Sequence, residues 1–203
     1  DLVEELGVNR KSMYAEFGSK QGLFEASLER YDQRHLSRVL APLEAQEAGA
    51  DAIREAFAGY AAASGGWARG RGCLLCNTAV ELGPNDPSGA KFVQRYFARL
   101  SGAFLTALSN AQARGELRSS VDPDEEAAFF TASVLGLFVM LRAKASPTVV
   151  RSAVRGALEH LDRIMHRRAV VFVVSDFLDD GWERSFRIAR RRHDVIPIVI
   201  SDP

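Results

Sequence analysis

Only two cysteines occur in the 203 residues, Cys73 and Cys76, and two thiols so close in sequence cannot cross-link distant parts of a chain this long. That excludes a disulfide-stapled scaffold. No apolar run approaches the roughly 20 residues of a membrane-spanning helix, and no signal-peptide pattern is present, so the reading is cytoplasmic, with no membrane partner. The four histidines, His35, His160, His166 and His193, have no metal spacing and read as ordinary surface residues. There is no serine, histidine and carboxylate grouping and no glycine-rich phosphate loop in the helical region. The expectation is therefore no catalytic residue, no metal and no cofactor. Net charge is lacking too: 26 basic residues balance 26 acidic ones, so nucleic acid could be held only by a local cationic patch.

What is present is hydrophobic content, 47% of the chain, enough for one full domain with accessory pieces. The pattern reads as helix after helix. "DLVEELG" places Leu2, Val3 and Leu6 on one face, with Gly7 suited to end the helix. Asn9 is a good N-cap for "RKSMYAEF", whose Met13 and Phe17 point inward together. Gly18 closes that helix and Ser19 caps the next, which Pro42 ends. Further helices are expected over about 51–64, 73–83, 88–114, 123–145 and 147–166. Asp122 before Pro123 and Ser146 before Pro147 each set an N-cap with proline at the first helical position.

The grammar changes near residue 167. An apolar run from Ala169 to Val174, an amphipathic helix and a second run from Val195 to Ile200 predict a parallel strand, a crossover helix and another parallel strand. Two such strands cannot bury both faces, so this tail is an incomplete domain.

The stretch "NRKSMYAEFGSKQGLF", residues 9–24, concentrates cations beside a tyrosine and a glycine turn. A helix-turn-helix from Leu2 to Phe17 would present its second helix to a major groove, with Arg10 and Lys11 at the end that reaches base edges. Lys20 stands in the first turn of the next helix, where the helix dipole disfavours a cation, and a phosphate partner would account for it. Residue types alone fit a solvated charged helix equally well. The arrangement is more specific. "LVEELGVNRKSMYAEFGSKQGLFEASLERY" resembles the second half of the DNA-binding domain of TetR-family transcriptional regulators, through the "LGV" turn, the tyrosine and the "FGSKQGLF" entry. "RGCLLCNTAVELGPNDP" is similar to a signature of that family's ligand-binding and dimerisation region.

The resemblance implies a mainly α fold: a TetR-like helical bundle with a truncated helix-turn-helix, plus a C-terminal β-α-β fragment. Residues 1–38 would bind DNA, 39–166 would bind ligand and dimerise, and 167–203 would form the tail. Arg10 and Lys11 would read bases on double-stranded operator DNA, while Ser12, Tyr14 and Lys20 would hold the backbone. Glu16 is left outside the contact set, because a carboxylate near phosphate repels. A ligand-responsive repressor is implied, its small effector apolar or aromatic. Phe57, Tyr60, Trp67, Asn77, Glu81, Phe92, Tyr96 and Phe130 lie on the helices that would line the pocket, and most of them serve equally as core. A homodimer would form on the last two apolar helices, centred on Leu135, Phe138, Val139, Val154 and Leu158.

Cys73 and Cys76 form a C-x-x-C that reads as two small buried hydrophobes, in preference to a thiol switch, on a helix expected to align them only loosely. The tail resembles part of the DUF58 proteins, which contain a von Willebrand factor A-like fold. That resemblance implies an alternative function, a protein-interaction module acting through the tail. Ser175 and Asp176 would then end a strand where such folds hold magnesium, but stable metal binding is not expected, and Asp176, Asp179 and Asp180 read as turn and cap residues.

Overall fold

The computed structural model describes residues 4, 5, 7–66, 68–82, 86–166, 170–178 and 182–200. In chain order the helices are α1 (Arg10–Phe17), α2 (Lys20–Tyr31), a π-helical turn (Asp32–Leu36), α3 (Ser37–Glu44), α4 (Ala50–Ala63), α5 (Leu74–Leu82), α6 (Pro87–Ala113), α7 (Pro123–Arg142) and α8 (Pro147–Ile164). Strand β1 (Val170–Ser175), helix α9 (Trp182–Arg192) and strand β2 (Asp194–Val199) follow. The expected mainly helical fold with a strand-helix-strand tail is what the chain adopts. Leu2, Val3 and Leu6, the expected inner face of a first helix, lie outside the described residues.

The predicted caps fix the frame. Asp122 accepts from the Asp124 N–H at 2.9 Å and Ser146 from the Val149 N–H at 3.4 Å, each followed by proline. Asp86 does the same for α6, accepting from Ser88 and Gly89 N–H ahead of Pro87. At 27 residues α6 is the longest helix, and it runs through the core: Tyr96, Leu100, Phe104 and Leu108 are buried on one stripe. Helix α7 packs along it, α8 packs on α4 and α7, and α3 and α5 cover other parts of α6. Phe57, Phe104 and Phe130 meet at its centre, with ring centroids 5.7 to 6.2 Å apart. Such tilted and edge-on pairs add about 0.5–1.5 kcal/mol each beyond area burial.

Three expectations are corrected. Pro42 does not end a helix but lies inside α3, because Leu40 and Leu43 on either side are buried and hold the last turn in place. Helix α7 stops at Arg142, three residues early: Lys144 takes φ +56° and the Ala145 N–H turns back to the Met140 carbonyl at 3.0 Å. His160 is no ordinary surface histidine. It is half-buried, 2.5 Å from Glu126, with its ring 4.3 Å from that of Phe129.

The tail is a two-stranded parallel sheet in which Val170 pairs with Asp194 and Ser175 with Val199. Phe172, Val174 and Ile198 remain largely exposed, as expected of two strands that cannot cover their own faces. Among the described residues no helix is long and apolar enough to cross a membrane.

Candidate functional site

Helix α1 begins where Asn9 accepts from the Lys11 N–H at 2.8 Å, which fixes Arg10 and Lys11 at its N-terminal end. Arg10, Lys11, Ser12 and Tyr14 are all exposed, as is Lys20 at the start of α2. These five cations and hydroxyls therefore occupy two neighbouring helix N-termini and the first turn and a half of α1. Lys11 and Lys20 enter none of the ion pairs formed among the described residues. Met13 is half-buried but Phe17, expected to point inward, is 37% exposed; among the described elements α1 packs mainly on α2.

The angle between α1 and α2 is set by "FGSKQG". Gly18 has φ +69°, a region open to glycine without steric cost, and its N–H closes α1 on the Tyr14 carbonyl. Ser19 caps α2 by accepting from the Gly22 N–H at 2.9 Å. A Cβ on Gly22 would stand 2.2 Å from the Phe17 carbonyl oxygen, so this glycine permits the close approach of the two helices.

Helix α2 is tied to α6 at both ends. Gln21 donates to Ser88 Oγ, and to Asp86 Oδ2 at 3.4 Å, at the α6 N-terminus. At the far end Arg95 Nη2 lies 2.9 Å from Glu29 Oε2 and 2.9 Å from Asp32 Oδ2, and Arg99 Nη1 lies 3.1 Å from Asp32 Oδ1. Arg99 also pairs with Glu44 of α3 at 2.5 Å. Sequence reasoning missed these residues. The signal was available: Arg95 and Arg99 are four apart and Glu29 and Asp32 three apart, complementary charges on one face each of two predicted helices.

Next to this clamp lies the cysteine pair, both buried as expected, but placed differently along the chain. Cys73 is not in a helix; it stands at the N-cap of α5, its carbonyl accepting from the Asn77 N–H, with Cys76 in the first turn. A cap side chain faces the first turn, so the two buried cysteines are neighbours at the α5 N-terminus. The Cys76 sulfur lies 3.9 Å from the Tyr96 hydroxyl. Hydrogen bonding from the Cys76 thiol, ahead of the other donors, holds Cys73 below the ordinary thiol range, and the same contact pushes Cys76 up. Burial pushes the Tyr31, Tyr60 and Tyr96 hydroxyls up, so they remain protonated donors.

The residues expected to line an effector pocket divide into three sets. Phe57, Tyr60, Tyr96 and Phe130 are buried core. Asn77 donates to the Arg71 carbonyl at 2.8 Å, Glu81 pairs with Arg142 at the surface, and Phe92 is half-buried under the Arg95 guanidinium. Trp67 lies outside the described residues. A cavity of about 320 Å³ opens between α7 and α8 against Phe57 of α4, lined also by Phe129, Gly136, Met140, Ala153 and Gly156 among others.

Of the five residues expected in a dimer interface, Val139 is 54% exposed, and Leu135, Phe138 and Leu158 are half-buried. Val154 is 4% exposed and packed inside the protomer. Phe129 and Val149 extend the outward apolar face. In the tail, Ser175 Oγ accepts from the Phe177 N–H, and Asp176 accepts from the Leu178 N–H in the turn role expected of it; Asp179 and Asp180 lie outside the described residues.

Residues 49–157 match the family described as "Tetracyclin repressor-like, C-terminal domain", and residues 117–203 match "Protein of unknown function DUF58". The uncharacterized HTH-type transcriptional regulator YezE of Bacillus subtilis (strain 168) is 30% identical over 163 residues, 80% of this chain and 84% of the relative. The HTH-type transcriptional repressor ComR of Escherichia coli (strain K12) is 31% identical over 150 residues, 72% and 70% of the two chains. Among solved structures, the regulator CifR, a cysteine mutant bound to 26 bp double-strand operator DNA, shares the fold with a TM-score of 0.68 at 24% identity, over 78% of this chain and 83% of that one.

Proposed function

This chain belongs to the TetR family of transcriptional regulators, and from that premise we propose that it is a homodimeric repressor which leaves a roughly palindromic operator when a small apolar or aromatic effector binds. The observation that carries this reading is the exposed set Arg10, Lys11, Ser12, Tyr14 and Lys20 on two helix N-termini, held by α2 to the long core helix α6. Lys11 and Lys20, which enter none of the ion pairs among the described residues, stand at helix N-termini suited to phosphate, and their electrostatic contribution falls with salt. Arg10 and Lys11 read base edges; Ser12, Tyr14 and Lys20 position the backbone. That ComR is described as a repressor, and that CifR was solved on operator DNA, support the same partner and direction of control.

In this reading residues 1–38 bind the operator, residues 39–166 take the effector and form the dimer, and residues 167–203 are an accessory tail. The outward apolar faces of α7 and α8 meet their copies, with Val139, Phe129 and Val149 in contact and Gly136 and Gly156 allowing the helices to approach closely. The effector enters among the aromatic side chains around Phe57 and Tyr60. Selecting duplexes from a random library with the full chain, then titrating the best sequence against salt, tests the core of this reading. Binding without sequence preference at every salt concentration would overturn it. Arg10→Ala is expected to relax specificity, and Lys20→Ala to weaken all sequences and reduce the salt slope by about one.

The DUF58 match and the bare faces of β1 and β2 favour a second role for the tail, as a protein-interaction module. Saturable magnesium binding by the full chain, abolished by Asp176→Asn, would place the function there instead.

A further inference from the structure

We propose that the flank of α9 bearing Trp182, Phe186, Arg187 and Arg190 is a binding surface for single-stranded nucleic acid, taking unpaired bases on its rings and phosphates on its arginines. The helix, WERSFRIARRR, carries five arginines against one glutamate in a chain of zero formal net charge. It is a local cationic patch that the balance of the whole chain hides. Arg184, Arg187 and Arg190 are exposed, and among the described residues none of them enters an ion pair or a hydrogen bond. Arg190 lies over the Phe186 ring instead, its guanidinium carbon 6.0 Å from the centroid. Trp182 meets Phe177 and Phe186 edge-on, at 4.7 and 5.6 Å, and still has 38% of its surface free to stack. Beside these rings lies an open groove of about 490 Å³, lined by Trp182, Glu183, Phe186, Arg187 and Arg190. Grooves of about 300–1,000 Å³ are of a size to take small organic groups.

The mixture of side chains selects the partner. Arginine binds phosphate through two parallel N–H donors and stacks on flat rings, and an aromatic ring accepts any base by its π face. In a duplex those faces are covered by the neighbouring base pairs, so the rings favour unpaired nucleotides. An acidic peptide would use the arginines and leave the rings idle. An anionic membrane surface requires a free apolar face, whereas Phe186 and Ala189 are half-buried and α9 packs on β2. Arg184, Arg187 and Arg190, three apart, follow one slanting ridge over about 9 Å of helix, a track suited to successive phosphates of a strand. Glu183 also lines the groove, and its carboxylate opposes phosphate at that end. The tail is rooted far from α1. Arg118 N–H donates to the Ile164 carbonyl at 3.0 Å and His166 N–H to the Glu116 carbonyl at 2.7 Å, which ties the segment before β1 to the loop after α6. Gln21 holds the other end of α6, about 40 Å away along its 27 residues. Helix α9 therefore serves a strand of its own instead of sharing the duplex under Arg10 and Lys20.

The test titrates the full chain into a short fluorescein-labelled oligothymidylate and reads anisotropy across salt. Expected is saturable binding that weakens as salt rises. Trp182→Ala should lower the affinity about 5- to 150-fold and Trp182→Phe, which keeps a ring, should recover most of it. Arg187→Gln and Arg190→Gln should each reduce the slope of log affinity against log salt by about 0.7, and Glu183→Gln should tighten binding. None of these changes should alter the affinity for a random duplex of the same length. Arg187 is exposed and unpaired, so its replacement reads the site in a folded tail even where Trp182→Ala disturbs packing, which circular dichroism checks. Absence of saturable binding would overturn the proposal, as would binding that Arg187→Gln and Trp182→Phe leave no different from a Trp182→Ala chain. Polyglutamate or phosphatidylserine vesicles that displace the strand as well as unlabelled oligothymidylate does would overturn it too, making the surface a general anion or membrane patch. If the chain selects no operator duplex, the repressor reading fails, and the single-strand measurements still decide this one.

Discussion

Asp32 of the π-helical turn and Arg99 of α6 meet at 3.1 Å, with the Asp32 side chain only 13% exposed. This pair, reinforced by Arg95 on the other carboxylate oxygen, is the main polar joint between the segment carrying the cations and the core. Asp32→Asn leaves two guanidiniums facing a neutral amide and is expected to lower stability by about 1–3 kcal/mol. Urea unfolding measures the loss, and hydrogen exchange should place it in residues 20–36. An unchanged exchange pattern would mean the joint is held by apolar packing instead.

The joint between α1 and α2 is expected to be equally intolerant. Gly22→Ala drives a methyl group into the Phe17 carbonyl and should cost about 1–3 kcal/mol, whereas Ala15→Gly, on the exposed face of α1, should cost no more than about 1 kcal/mol. Thermal unfolding of the two variants separates a steric role for Gly22 from a generic helix effect.

For assembly, the exposure of Val139 against the burial of Val154 gives opposite expectations for the same substitution. Val139→Glu should yield a folded monomer, while Val154→Glu should unfold the protomer, since an unpaired buried charge costs several kcal/mol. Sedimentation and circular dichroism read the two outcomes; a dimeric Val139→Glu chain would remove the α7–α8 interface.

Acid sensitivity has a defined sign. The Ser88 hydroxyl, then the Gly89 N–H, hold the Asp86 carboxyl below the ordinary carboxylate range, and Arg95 does the same for Glu29. A carboxyl with a depressed folded pKa stabilises the fold above its unfolded value, about 4, and that contribution is lost as pH falls through the folded value. Stability should therefore decline as pH drops below about 4, and Asp86→Asn should flatten part of that decline in urea titrations repeated across pH.

Much of this was legible in the sequence because it depends on neighbours along the chain. Asn9, Ser19, Asp122 and Ser146 act within three residues of themselves, so their caps could be read directly, as could the cation set that those caps place. Local logic also misled. Pro42 breaks a helix in isolation, but Leu40 and Leu43 anchor both sides of it in the core. Val154 lies on an apolar stripe that two different surfaces could have buried, and the stripe does not say which. The thiol pair was placed inside a helix; a shift of one residue left Cys73 at its cap and only Cys76 in its first turn. The clamp on Asp32 joins residues more than sixty positions apart, and only the packing of α2 on α6 brings them together.

From Lys20 to Glu44 the chain is one uninterrupted rod with a wide turn near its middle. Lys20 stands about 18 Å from Asp32 along that rod, at about 1.5 Å per residue. A tilt of about 5° at the wide turn therefore sweeps the Lys20 end through about 1.5 Å, against the roughly 0.5 Å spread of hydrogen-bond lengths that a phosphate contact tolerates. In the proposed operator complex the rod would act as a lever whose long arm ends at Lys20, so a few degrees of tilt at the wide turn would be enough to break a phosphate contact there.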